Sequence, residues 1–378
     1  MTRVFAARES DPAERRVSMT PETASKLSAA GLDVVVQRDA GTRAGLDDAQ
    51  YVEAGASIGE AADVSDADIV VRLTPPSIAE VEALREGTLL LSFVAPHRNH
   101  DVVRALAARR ISTLSMELVP RISRAQSIDA LSSQANLAGY RAVVVAAYEL
   151  DKYFPLFMTA AGTIRPATVV VLGAGVAGLQ AVATAKRLGA IVKVSDIREA
   201  AKAEVASLGA SFIDVPEAED LTGEGGYAKE AGEDFLTRQR AALTEAISGA
   251  NAVITTAQIP MRPAPELVTR EMVEAMPKGS VVIDLAAADG GNCVLTDVSG
   301  TVEHSGVRII PGHDFASQMP SEASAMYARN IVAFLDLVVT EGELTLDLDD
   351  EVVAGALLTH DGAVTSERVV SMLDGGTS

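Results

Sequence analysis

The chain has 378 residues and a formal net charge of −20, with 52 Asp and Glu against 32 Lys and Arg. Nucleic-acid binders carry the opposite balance, so that class is excluded; no apolar run approaches the ~18 residues that cross a bilayer. Its single cysteine, Cys293, excludes an intramolecular disulfide and fits the cytosol, and a 48% hydrophobic content with no Trp supplies aliphatic cores for about two domains.

From its start, MTRVFAARES, the chain reads as the first strand of a folded domain and not as a signal peptide. Strands are predicted at 3–7, 33–37, 68–73, 88–94 and 111–114, with amphipathic helices between them. The first helix opens at Pro21 behind an N-cap Thr20 and stops at Gly31. This region is α/β and has no G-x-G-x-x-G of its own. Residues 121–132, RISRAQSIDALS, then place a guanidinium (Arg121), an amide (Gln126), a carboxylate (Asp129) and a hydroxyl (Ser132) ahead of a long helical pattern at 132–150. Two readings stand side by side. Such a group can fix a nicotinamide carboxamide and its ribose, or it is a polar loop that caps a helix. If the turn is helical, spacings of three and six put Gln126, Asp129 and Ser132 on one face.

The stretch VVVLGAGVAGLQAVATAKRLGAIVKVSD, residues 169–196, organises the remainder. A buried strand leads into Gly173, Gly175 and Gly178, spaced G-x-G-x-x-G, and a helix follows that ends near Gly189. A second strand ends at Asp196. Gly173 permits the tight turn, Gly175 lets the backbone approach a pyrophosphate, and Gly178 lets helix and strand pack closely; the N–H groups at the helix start hold the phosphates. Asp196 can accept from both hydroxyls of an adenosine ribose and repels a 2′-phosphate, which favours NAD over NADP. Arg198 is discordant: it can stack on adenine, or soften the discrimination against phosphate.

Further strands are predicted at 211–213, 252–256, 281–285 and 307–310, completing six in a doubly wound fold. The acidic, Gly-rich segment at 214–234 breaks the rhythm; it reads as a flap whose Tyr227 closes over nucleotide, against the alternative of an inert surface insertion. A final helix at 321–338 leads to a tail that packs on the first domain. The expectation is two Rossmann-like α/β domains, residues 1–131 with 320–378 and residues 132–319. Each is a mostly parallel sheet with helices on both faces; long helices join the two and leave a cleft for ligand.

The segments ISRAQSIDALSSQANLAGYRAV, LGAGVAGLQAVATAKRLGA, GGYAKE, TTAxIPxRPAP and VIDLA…GGNC together resemble the NAD(H)-binding alpha-1 component of proton-translocating nicotinamide nucleotide transhydrogenase. The resemblance covers nearly the whole chain, and RVSMTPETASKL is shared with the related alanine dehydrogenases. It implies a homodimer that binds NAD(H) and passes hydride directly to NADP⁺ on a partner subunit. A membrane subunit would couple that transfer to proton movement. The chain itself would be cytoplasmic, held at the inner side of the cell membrane by its partners without inserting. Carried over by motif, Arg121, Gln126, Asp129 and Ser132 match the catalytic nicotinamide-side group. Val176 and Asp196, Ile197 and Arg198 match the adenosine side, Gly226 and Tyr227 the mobile loop, and Gln239 and Gln258 further nucleotide contacts.

Three departures stand out. Gln258 and Met261 replace the Leu and Gly of the family's TTALIPG; HDFASQMP (313–320) replaces its NVPSR; and the loop at 94–100 is unlike its usual sequence. The alternative is an alanine-dehydrogenase-like enzyme, which needs a His and a Lys in the first domain. The His position falls on Ala95, and the segment VRLTP (71–75) has Arg72 but no Lys. His97 and His100 read as solvated loop histidines, and Arg16 matches both families. A regulatory nucleotide-binding protein without turnover is a third class. No metal site is expected, since Cys293 has no His or Cys at ligand spacing, and direct hydride transfer needs no general base.

Overall fold

Buried runs of three to five residues such as Ile69–Val71 and Thr168–Leu172 pair into two largely parallel sheets, one in each of two units. The structure is a computed structural model and describes residues 1–215 and 232–375. The chain divides into Met1–Gln134 with Ser317–Ser378, and Ala135–Ala316. The middle of the expected flap, with Gly226 and Tyr227, lies outside the described residues.

The first unit begins β1 (Arg3–Ala6), α1 (Pro21–Ala29), β2 (Asp33–Gln37), α2 (Asp48–Glu53), β3 (Ser57–Gly59) and β4 (Ile69–Val71). It continues with α3 (Ile78–Ala83), β5 (Leu89–Ser92), α4 (His100–Ala108), β6 (Ser112–Ser115) and the first turn of α5 (Ala130–Glu149). The second unit holds the rest of α5, β7 (Phe157–Thr159), β8 (Gly162–Ile164), β9 (Thr168–Leu172), α6 (Val176–Arg187), β10 (Ile191–Ser195), α7 (Ala200–Ser207) and β11 (Ser211–Phe212). Then come α8 (Glu233–Ser248), β12 (Ala252–Thr255), α9 (Arg270–Glu274), β13 (Val281–Asp284), β14 (Val302–His304) and β15 (Val307–Pro311). The first unit is completed by α10 (Pro320–Val338), β16 (Val339–Thr340), β17 (Glu343–Leu344), α11 (Glu351–Ala356), β18 (Leu357–His360), β19 (Ala363–Val364) and α12 (Glu367–Asp374).

The first sheet runs β19-β18-β6-β5-β4-β1-β2-β3, with β18 and β19 antiparallel at one edge. Thr20 caps α1 as expected, its hydroxyl accepting the Thr23 N–H. The second sheet runs β11-β10-β9-β12-β13-β15-β14, antiparallel only at β14. Among the described residues it therefore has seven strands where six were expected, and the first has eight where five were expected. The additions are two to four residues long, too short for an apolar period to show.

Alternation explains why β9, at the centre of the second sheet, is apolar beyond Thr168. Val169 and Val171 pack with α5, α6 and α7 residues such as Val143, Val182 and Val205. Val170 and Leu172 pack on the opposite face with Leu243 and Ile247 of α8 and Met272 of α9. Both faces of β9 are covered, so none of Val169–Leu172 alternates to polar. The chain leaves β9 toward β10 on one side and resumes at β12 on the other. Open α/β sheets bind ligands at such a reversal, outside the carboxyl ends of the strands.

Candidate functional site

The turn after β9 has the steric character its spacing predicts. Gly173 has φ +98, and a methyl there would meet Thr256 Oγ1 at 2.6 Å. A methyl on Gly178 would lie 1.9 Å from the Gly173 carbonyl oxygen, whereas one on Gly175 would meet nothing within 4 Å. Gly173 and Gly178 are thus required by the protein's own packing, and Gly175 leaves the backbone open to an outside group. Gly175 caps α6 without a side-chain hydrogen bond, so the N–H groups of the first turn remain for an anion. Val176, at that turn, is 37% exposed.

Asp196 follows β10, with its side chain 9% exposed. Its Oδ2 accepts the Ala174 N–H at 2.7 Å, which ties the acid to the glycine turn. Arg198 donates its N–H and Nε to Oδ1, both at 2.9 Å, and Nη2 to Oδ2 at 2.8 Å. Burial alone would raise the Asp196 carboxyl, but the Arg198 guanidinium and the two backbone N–H groups outweigh it and hold the carboxyl below its usual range. Ile197 is half-buried, and Gln239 is buried in α8.

A second wall was missed by sequence reasoning. Thr256, after β12, donates its hydroxyl to the Gly173 carbonyl at 3.1 Å. Buried Asn292 accepts the Ala257 N–H at 3.1 Å and donates to the carbonyls of Ala257 and Pro265, both at 2.8 Å. Asp284, fully buried at the end of β13, accepts from Thr255, Thr296 and the N–H groups of Ala286, Asn292 and Cys293. The loop facing the glycine turn is thereby braced from beneath. The signal was an Asp closing an apolar strand eight residues before Asn292 in GGNC. Gly139 of α5 was also missed; a methyl there would lie 2.1 Å from the Ala177 carbonyl oxygen of α6. Burial pushes the Cys293 thiol up to about 11, so it is no nucleophile.

Gln258, on the braced loop, is exposed, with Nε2 3.5 Å from Asp289 Oδ2. Met261 takes φ +58, the region glycine tolerates. A non-glycine residue there costs about 1–2 kcal/mol, against about 0.5–1 kcal/mol that glycine loses to chain entropy. Met261→Gly should therefore raise the thermal midpoint by about 1–4 °C in a calorimetric scan; a lower midpoint would mean the side chain packs in a way that outweighs the strain.

In the first unit, residues 123–132 are not one helix, and the expectation of a shared helical face is corrected. Ser123–Ala125 form a 3-10 turn, a further turn carries Gln126, and α5 starts only at Ala130. Asp129 is the residue before α5, with Oδ1 accepting the Ser132 N–H at 2.9 Å and Oδ2 the Ser132 hydroxyl at 2.5 Å. The structure thus brings Asp129 and Ser132 together as an N-cap. Gln126 and Arg121 are exposed.

The positions that an amino-acid dehydrogenase would use are closed on themselves. Arg16 donates Nε and Nη2 to Glu14 at 2.8 and 2.6 Å, and Nη1 to Gln134 at 2.9 Å. Burial would raise Glu14, yet Arg16 keeps it below its usual range. Arg72 is 3% exposed, with Nη1 3.0 Å from Glu80 and Nη2 3.6 Å from Glu9. Ala95 has φ +48 and gives its N–H to Glu117, whose carboxyl burial pushes up. His97 and His100 are half-buried, not solvated as expected; His97 Nδ1 is buried and His100 is the first residue of α4.

Comparison with known proteins gives the family. Residues 6–138 match the family model for the alanine dehydrogenase/PNT N-terminal domain, and residues 142–367 that for the C-terminal domain. The chain is similar to the first part of NAD(P) transhydrogenase subunit alpha of Rhodospirillum rubrum, 45% identical over 96% of this chain and 97% of that protein. A solved transhydrogenase from Sinorhizobium meliloti is 46% identical, with a TM-score of 0.88 over 96% of this chain and 99% of that one. An L-alanine dehydrogenase structure, 24% identical, shares the fold over the full length of both chains with a TM-score of 0.81.

Proposed function

Because the chain belongs to the alanine dehydrogenase/PNT family, we propose that it is the NAD(H)-binding alpha component of an NAD(P) transhydrogenase. In this reading it binds NADH, and hydride passes directly to NADP⁺ on a partner subunit, coupled to proton translocation by a membrane subunit. The observation that carries the coenzyme assignment is the open backbone at Gly175 beside a buried, ionised Asp196. Bound NADH supplies the hydride. The protein's residues bind, orient and keep out water. The open backbone at Gly175 takes the pyrophosphate, with Gly173 and Gly178 shaping the turn, and Val176, Asp196, Ile197 and Arg198 line the adenosine side, Asp196 accepting from the ribose. Gln239 and Gln258 add nucleotide contacts. Arg121, Gln126, Asp129 and Ser132 orient the nicotinamide.

Among the described residues no helix is long and apolar enough to cross a membrane. In this reading the partners hold the chain at the inner side of the cell membrane. Homodimerisation is supported by the hairpin β7–β8, in which every residue is exposed. Phe157 is 42% and Met158 77% exposed, close to Tyr153 and Leu156 at 56% and 54%. Apolar side chains gathered at a hairpin fit a second copy of this chain. The double substitution Phe157→Glu with Met158→Glu should give a monomer in sedimentation; an unchanged dimer would put the interface elsewhere.

The function itself is tested by mixing the NADH-loaded chain with an NADP-binding partner domain and following single-turnover absorbance. Hydride transfer is expected there, and none above background with pyruvate and ammonium. Robust alanine formation would reverse the assignment, with His97 as the residue to examine.

A further inference from the structure

A carboxylate offers about four lone-pair sites, and in this structure Asp196 has four donors. Two are backbone N–H groups, of Ala174 and Arg198, fixed by the fold. The other two are Nε and Nη2 of one guanidinium, which grips both oxygens. A ribose diol needs two acceptors on the same carboxylate. The backbone donors cannot leave without unfolding the turn, whereas the Arg198 side chain, 22% exposed, can. The place the ribose must take is therefore the place Arg198 holds.

We infer that Arg198 is the second specificity-determining residue of this site, a 2′-phosphate reader kept out of use by its pairing with Asp196. The inference rests on the NAD(H) reading above. Binding of NADH is an exchange in which the ribose hydroxyls displace the guanidinium from Asp196. Coenzyme choice then belongs to the pair. Asp196 repels a 2′-phosphate and also sequesters the cation that would attract one. An Arg two residues after the acid, its side chain 22% exposed, lies beside the ribose position where that phosphate would sit.

The test measures NADH and NADPH affinities by calorimetric titration for the wild type, Arg198→Ala, Asp196→Ser and the double variant. With Asp196 intact, Arg198→Ala should tighten NADH by roughly threefold to tenfold, since a competing charge-assisted pair is gone. With Ser at position 196, the same substitution should leave NADH unchanged and weaken NADPH by about tenfold or more, since the released guanidinium would then serve the phosphate. Arg198→Gln, which keeps a polar side chain of similar length without the fork, should repeat the signs if the alanine variant folds poorly. Weaker NADH binding on losing Arg198 with Asp196 intact would overturn the inference and make Arg198 a direct adenosine contact. Equal NADPH affinities for the Asp196→Ser and double variants would overturn the phosphate role. Failure of the underlying coenzyme reading looks different: wild type would not bind NADH, or Asp196→Ser would leave NADH affinity untouched.

Discussion

Asp196→Ser is expected to weaken NADH by about tenfold to a hundredfold and to bring NADPH affinity up toward it. Each charge-assisted hydrogen bond from a ribose hydroxyl is worth about 1.5–3 kcal/mol, and serine can accept only weakly in its place. The wild type should prefer NADH strongly, because the same carboxylate, on a side chain only 9% exposed, meets a 2′-phosphate as a like charge. The protonation state adds a second signature. Asp196 is held below the usual carboxylate range, so its contribution to NADH affinity is present above that depressed value and is lost only as pH falls through it. NADH affinity should therefore stay flat from neutrality down through the range where an ordinary carboxylate protonates. Titrations across that range decide it; equal wild-type affinities for the two coenzymes would remove the acid from the selectivity argument.

The second large effect is expected in rate. Asp129→Asn keeps an N-cap of equal quality on α5, because Asn and Asp accept the Ser132 N–H alike. It removes only the charge and one acceptor arrangement. Gln126 is exposed, so Gln126→Ala should change stability by no more than about 0.5 kcal/mol. If these residues orient the nicotinamide, both variants should keep NADH affinity within a fewfold and slow hydride transfer to partner-bound NADP⁺ by at least about tenfold, since small misplacements of reacting groups cost up to ~10²-fold. A structural cap would behave otherwise, with transfer rates unchanged in both variants. Single-turnover absorbance and thermal midpoints of the same preparations separate the two.

What the amino-acid order determined by itself was local. The strand, glycine triad, helix, strand and acid between Thr168 and Asp196 were legible because each glycine answers a constraint within a few residues: a left-handed φ at Gly173, or the Gly173 carbonyl against Gly178. The long helices were legible for the same reason, since apolar spacing and caps such as Thr20 act over one turn. Tertiary structure decided the rest. Whether Arg198 stacks, reads a phosphate or clamps Asp196 depends on where Ala174, 22 residues earlier, delivers its N–H. That Asn292 braces Ala257 depends on a pairing 35 residues apart. Gly139 is needed only because α6 crosses α5 at that residue. Asp129 shows the limit most directly: its spacing to Ser132 fits both a shared helical face and an N-cap, and only the backbone's turn at residues 126–128 selects the cap. Steric limits on the backbone act between neighbours and are written in residue order, whereas hydrogen-bond partners are chosen by what the fold brings within about 3 Å.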